Sequence, residues 1–130
     1  MKSEPDVFSI DDLRKKKTAG WDGVRNYQAR NPLKEMRAGD QAFFYHSSTA
    51  VPAIVGVMEI VREAYPDRSA TEDPRWVQVD VRYKLAFKRP LSLESIRHMP
   101  PLRRMKLLTN SRLSVQPVTP AEWDIIFRQV

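Results

Sequence analysis

Between Trp21 and Asn31 the sequence reads WDGVRNYQARN, which gathers an indole, a phenol, two guanidinium groups and two asparagine amides behind a Gly-containing turn. Gly20 and Gly23 flank Trp21 and let the backbone come close to a ligand. An indole on such a turn can stack on a nucleobase, a contact worth about 1–3 kcal/mol. Asn26 and nearby backbone amides can read a base edge, while Arg25 and Arg30 can hold phosphates or brace the loop. If VRNYQAR is helical, Asn26 and Arg30 share a face. The same residues also suit a core, with Trp21 and Tyr27 buried and the arginines paired to Asp11 or Asp22. Composition leaves both readings open.

Two other groups of residues carry chemistry. In KSEP, an extended start places Lys2 and Glu4 on one face and Ser3 on the other; a buried Lys/Glu pair can do acid–base work, although such pairs are more often structural. In FFYHSS, His46 adjoins Ser47 and Ser48, but neighbours in a strand point to opposite faces and make a poor base and nucleophile. With no G-x-S-x-G elbow present, His46 is expected to hydrogen-bond at a sheet edge or pocket wall, and His98 to cap or decorate a helix. Two distant histidines and no cysteine give no ligand set with metal-site spacing, so no metal is expected. Phosphate-loop and dinucleotide fingerprints are absent, the chain having four glycines, and no cofactor is expected.

The chain has 130 residues, 42% of them hydrophobic, which suits one domain with a real core. No apolar run approaches the ~18 residues of a membrane span, and the acidic start is unlike a signal peptide. The lack of cysteine suggests a reducing, cytoplasmic or nucleoid setting, and a monomer is expected. The net charge of +6 is unevenly spread: from Arg82 to Arg112 there are nine Lys/Arg and one acid, Glu94, while Glu63–Pro74 is acidic. Such polarisation suits a polyanion, because neutralising phosphates releases counterions. A solvated surface is the plainer alternative. Arg82, Lys84, Lys88, Arg103, Arg104, Lys106 and Arg112 are the candidate phosphate contacts.

These groups need elements to position them. Ser9 and Asp12 form a capping-box-like helix start. Pro32 disfavours the helical basin for Asn31, so two short helices with a bend at Asn31 are expected. QAFFYH (41–46) reads as a strand, and AIVGVMEIV (53–61) as a strand buried on both faces, with Gly56 marking a bulge or close approach. WVQVDVRYKLAF (76–87) alternates as a strand with one wet face. SLESIRHM reads as a short capped helix ended by PPL, and MKLLTNSRLSVQPVT mixes a possible strand with a turn at TNS. Thr119, Pro120 and Glu122 open a last helix with an apolar stripe. The fold class is α+β, a mostly antiparallel, barrel-like sheet of five or six strands with short helices at its ends.

KSEPDVFSIDDL, WDGVRNYQARN, GDQAFFYHSS, AIVGVMEIV and SRLSVQPVT follow one another in an order that resembles the EVE domain family, a PUA-like group, over nearly the whole chain. The resemblance implies a bent PUA-like β-barrel, related to the YTH and ASCH domains. It also implies a non-catalytic nucleic-acid-binding module that reads a modified base, most plausibly a modified cytosine in DNA, extruded into an aromatic-walled pocket. Matched by motif, that pocket comprises Lys2, Ser3, Glu4, Pro5, Trp21, Val24, Arg25, Asn26, Tyr45, His46, Ser47 and Ser114, with Tyr27, Arg30 and Asn31 bracing it. Two alternatives accompany this reading: an ASCH-like amidohydrolase acting on a modified nucleoside through Lys2 and Glu4, and an RNA-binding module. Family members carry a few residues, one of them aromatic, ahead of the M-K-S-E-P motif, so the first strand of this sequence is expected to be short.

Overall fold

The computed structural model describes residues 1–130. Five strands, β1 (Lys2–Ser3), β2 (Thr18–Trp21), β3 (Gln41–His46), β4 (Ala53–Pro66) and β5 (Val77–Ser92), form one sheet in the order β1-β3-β4-β5-β2. Five helices surround it: α1 (Ile10–Lys16), α2 (Tyr27–Glu35), α3 (Leu93–Arg97), α4 (Lys106–Thr109) and α5 (Pro120–Phe127). Only β1 and β3 run parallel; the other pairings are antiparallel. The α+β class and the mostly antiparallel sheet agree with expectation, but closure into a barrel does not follow. β1 and β2 are the two edges and do not pair, so the sheet is open. It is nevertheless strongly curved, because Trp21 on the β2 edge touches Phe44 on β3 with ring centroids 5.4 Å apart.

Each face of the sheet covers its own apolar cluster. Phe44, Met58, Val79 and Val81 meet α1, α2 and Trp21 on one side. Phe43, Tyr45, Ile54 and Val57 meet α3, α5 and the 3-10 turn Pro100–Leu102 on the other. This explains why the first six residues of β4, 53–58, are apolar at every position. Gly56 sits at a register shift in β4, and an added Cβ there would lie 2.2 Å from Ile10 Cδ1 and 2.3 Å from the Leu85 carbonyl. Helix caps follow local chemistry, with complete capping boxes at Ser9/Asp12 and Thr119/Glu122.

Three local expectations are corrected. The Trp21 turn begins as strand β2, whose alternation buries Ala19 and Trp21. The expected bend at Asn31 is absent: α2 runs through Pro32, its N-cap is Asn26, and Asn31 lies inside it. The lost Pro32 N–H is offset by the Asn26 side chain, which accepts from Gln28 N at 2.7 Å and Ala29 N at 3.3 Å, and by full burial of Ala29 and Leu33 one turn apart. The possible strand after Met105 is instead the short α4 followed by an irregular segment.

Candidate nucleic-acid interface

Six of the predicted site residues meet where β1 lies along β3. Lys2 stands beside Tyr45 and Ser3 beside His46 in parallel register. Ser47 N donates to the Ser3 carbonyl at 3.0 Å, and Lys2 N donates to the Ser114 carbonyl at 2.9 Å. Strand alternation divides this group between faces. Ser3 and His46 face α1, where Ser3 Oγ donates to the Phe8 carbonyl at 2.6 Å. Lys2 and Tyr45 face the other way, the Lys2 ammonium 5.8 Å from the Tyr45 ring centroid and bonded to the Ser111 carbonyl. Pro5 follows in the turn whose first carbonyl, that of Glu4, accepts from Val7 N and Phe8 N. Glu4 is exposed and makes no ion pair with Lys2, so the buried acid–base pair of the amidohydrolase alternative is not assembled.

His46 has a defined state. Its Nε2 accepts from Ile10 N at 3.1 Å, so the neutral ring carries its proton on Nδ1 and offers that N–H as a donor. Burial lowers its pKa below the ordinary histidine value, with the charge of Asp11 opposing. A depressed folded pKa contributes stability that is present above about pH 6.5 and is lost as pH falls through the folded value. His46→Ala is expected to cost about 1 kcal/mol by orphaning the Ile10 N–H and to remove that acid-side loss. NMR titration of the imidazole, with Ile10 amide exchange, checks both.

The Trp21–Arg30 stretch forms a frame. Trp21 is 7% exposed, its ring edge-on to Phe44, which is in turn edge-on to His46 at 5.5 Å. The indole is thus packed among core side chains. Gly23 turns the chain at φ 79°, and its N–H donates to Asp67 Oδ2 at 2.9 Å. Arg25 donates to the same oxygen at 2.9 Å and to Ser69 Oγ at 3.0 Å. Val24 is buried. The Asn26 oxygen caps α2 and cannot also read a base. Tyr27 packs at a tilt against Trp76, ring centroids 5.1 Å apart, and Arg30 lies 4.8 Å from the Tyr27 ring centroid and donates to the Arg75 carbonyl.

Sequence reasoning missed Asp67, the hub of this frame. It is 2% exposed and also accepts from Ser69 N at 2.7 Å and Ser69 Oγ at 2.6 Å. Burial raises its pKa, but the hydrogen bonds from Ser69, Arg25 and Gly23 outweigh this and hold it down at about 2. The signal was the Asp-x-Ser spacing of 67–69, a side-chain-capped turn. Gln78 is buried too, its amide reaching the Tyr65 hydroxyl and accepting from Arg68 N, although the strand pattern placed it on the wet face.

Of the candidate phosphate contacts, Lys84, Lys88, Arg103, Arg104, Lys106 and Arg112 are exposed. Arg82 is exposed but ion-paired to Glu59, so its charge is already answered. A mainly apolar cleft of about 330 Å³ has Lys2 and Tyr45 in its lining, together with Met36, Phe43 and Trp123.

Comparison with known proteins adds to this geometry. The EVE domain family model matches residues 1–129. Mouse thymocyte nuclear protein 1 is 46% identical over an alignment 158 positions long, covering 97% of this chain and 70% of the mouse protein. A hypothetical protein from Leishmania major superposes with a TM-score of 0.95 at 43% identity, covering 99% of this chain and 90% of that one. Human THYN1 in complex with 5-methylcytosine-containing DNA superposes with a TM-score of 0.95 at 41% identity, covering 99% of this chain and 94% of that one. The cytoplasmic setting expected from the sequence is corrected here, since the mouse and human relatives are named as nuclear proteins. By its whole-length family match and its relatives, the chain belongs to the EVE domain family.

Proposed function

We propose that this protein is a non-catalytic reader of modified cytosine in DNA. The observation that carries the reading is the likeness, over 99% of the chain, to human THYN1 in complex with 5-methylcytosine-containing DNA. The α1 side of the β1–β3 junction supplies the base-reading groups: the Nδ1–H of His46, the hydroxyl of Ser3 and the polar atoms of Ser47. Glu4, exposed beside them, can accept from the cytosine N4 amino group. Trp21, Val24, Arg25 and Asn26 act from behind, holding the wall against which these groups are set. Extruding a base costs a few kcal/mol, and pocket contacts must offset it. Lys84, Lys88, Arg103, Arg104, Lys106 and Arg112 supply the sequence-independent attraction to phosphate.

Roles divided in this way separate in a binding assay. Replacing Arg103 and Arg104 by glutamate is expected to weaken 5-methylcytosine and plain duplexes by the same factor, on the order of tenfold or more, and to flatten the salt dependence. Fluorescence anisotropy against both duplexes reads this directly. A change in the ratio of the two affinities would contradict the division.

A further inference from the structure

The face of the β1–β3 junction turned away from Ser3 and His46 holds an unanswered set of positive charges. Lys2 is half-buried, lies over the Tyr45 ring and is tied to the carbonyl of Ser111, whose chain neighbour Arg112 is exposed. Arg97, exposed at the end of α3, follows Ile96, which packs in the same apolar cluster as Tyr45. Its positive charge opposes the upward push of burial on the Tyr45 hydroxyl. The Tyr45 ring is buried, while its hydroxyl makes no hydrogen bond to the protein and is not among the buried unpaired atoms, so it reaches solvent.

Burial distinguishes Lys2 from the other lysines, which are all exposed. Lys2, Arg97 and Arg112 have no carboxylate within 4 Å. Burial lowers the pKa of Lys2, so an ammonium partly removed from water is held there with only a carbonyl for company. A charged group in that position gains from an anion. A hydroxyl donor, an ammonium and two guanidinium groups together match the oxygens of a phosphodiester.

We propose that Lys2, Tyr45, Arg97 and Arg112 form a phosphodiester clamp on the sheet face opposite the base-reading groups. This rests on the DNA-binding reading and deepens it. Ser3 and His46 act on the base, and Lys2 and Tyr45, their neighbours in the same two strands, act on the backbone. β1 and β3 therefore divide recognition between their two faces, and the parallel pairing of Lys2 with Tyr45 and Ser3 with His46 keeps the two in register. Lys2 and Tyr45 are thereby moved from base pocket to backbone contact, and Arg97 joins the binding residues.

The test is anisotropy with labelled duplexes, 5-methylcytosine-containing and plain, at about 50 and 200 mM salt, using Arg97→Ala, Lys2→Gln and Tyr45→Phe. Arg97→Ala and Lys2→Gln are each expected to weaken both duplexes alike, about 3- to 10-fold at the lower salt, and to reduce the salt slope by about 1. Tyr45→Phe is expected to weaken both alike with the slope unchanged, since a neutral donor is lost. Arg97 is exposed, so Arg97→Ala tests the clamp even where Lys2→Gln unfolds. Unchanged affinity and slope in Arg97→Ala, or a loss confined to the modified duplex, overturns the clamp. A reduced slope in a protein whose unaltered form has equal affinity for both duplexes leaves the clamp standing and overturns the modified-base reading instead.

Discussion

Trp21→Ala is expected to destabilise the protein by about 3–5 kcal/mol, the usual cost of truncating a buried aromatic to alanine. Trp21 closes β2 opposite Val79 and fits edge-on against Phe44, so its removal opens a cavity inside the curve of the sheet. Urea unfolding read by circular dichroism measures the change. Loss of preference for modified DNA in this variant is expected to follow from a loosened frame, because the indole is largely buried and packed edge-on against Phe44. Trp21→Phe separates the two causes. It keeps an apolar ring in the site, and most of the stability and the binding preference should survive. A well-folded Trp21→Phe protein that has lost discrimination would show that the indole itself touches the base.

Asp67→Ala ranks second, with an expected loss of about 2–3 kcal/mol. Its carboxylate accepts from the Gly23 amide, the Arg25 guanidinium and two groups of Ser69. Alanine leaves the Gly23 N–H without a partner and releases the Arg25 side chain. The Arg25 share of this loss is small, since that side chain is 39% exposed and its charge is partly screened by water. The pH dependence has a definite sign. With a folded pKa of about 2 against the ordinary 3.8, Asp67 contributes stability that is full above pH 4 and disappears as pH falls towards 2. Chemical denaturation across that range should show a shallower acid-side decline in Asp67→Ala. The variant should also lose DNA discrimination at neutral pH, because the Trp21–Asn26 wall is no longer tied to the β4–β5 connection.

What the sequence made legible was chiefly local. Ser9 with Asp12, and Thr119 with Glu122, announce helix starts because both partners of each box lie within one turn. Gly56 announces a close approach because no side chain fits between Ile10 and the Leu85 carbonyl. The strand β3 stands out through its run of aromatics. Illegible features depend on partners far along the chain. Nothing near Arg25 identifies Asp67 as its counter-charge, and nothing in TAGW reveals that β5 supplies the pairing that makes it a strand. Asn26 and Asn31 compete as caps for one helix, and local rules favoured Asn31 because Pro32 follows it. Tertiary burial of Ala29 and Leu33 decided for Asn26. At the junction itself, period-two alternation already separated Lys2 from Ser3. Which β3 residue each would meet was set by parallel pairing, which spacing does not encode.

Recognition of a modified cytosine can be measured directly. A set of otherwise identical short duplexes, each with a single cytosine replaced by one modified form and one left plain, is titrated with the unaltered protein at two salt concentrations. At least one modified cytosine is expected to bind tighter than the plain base, by a ratio that stays the same at both salts while all absolute affinities fall as salt rises. Equal affinity for every member of the set, with salt changing them all together, would contradict it and leave only phosphate attraction.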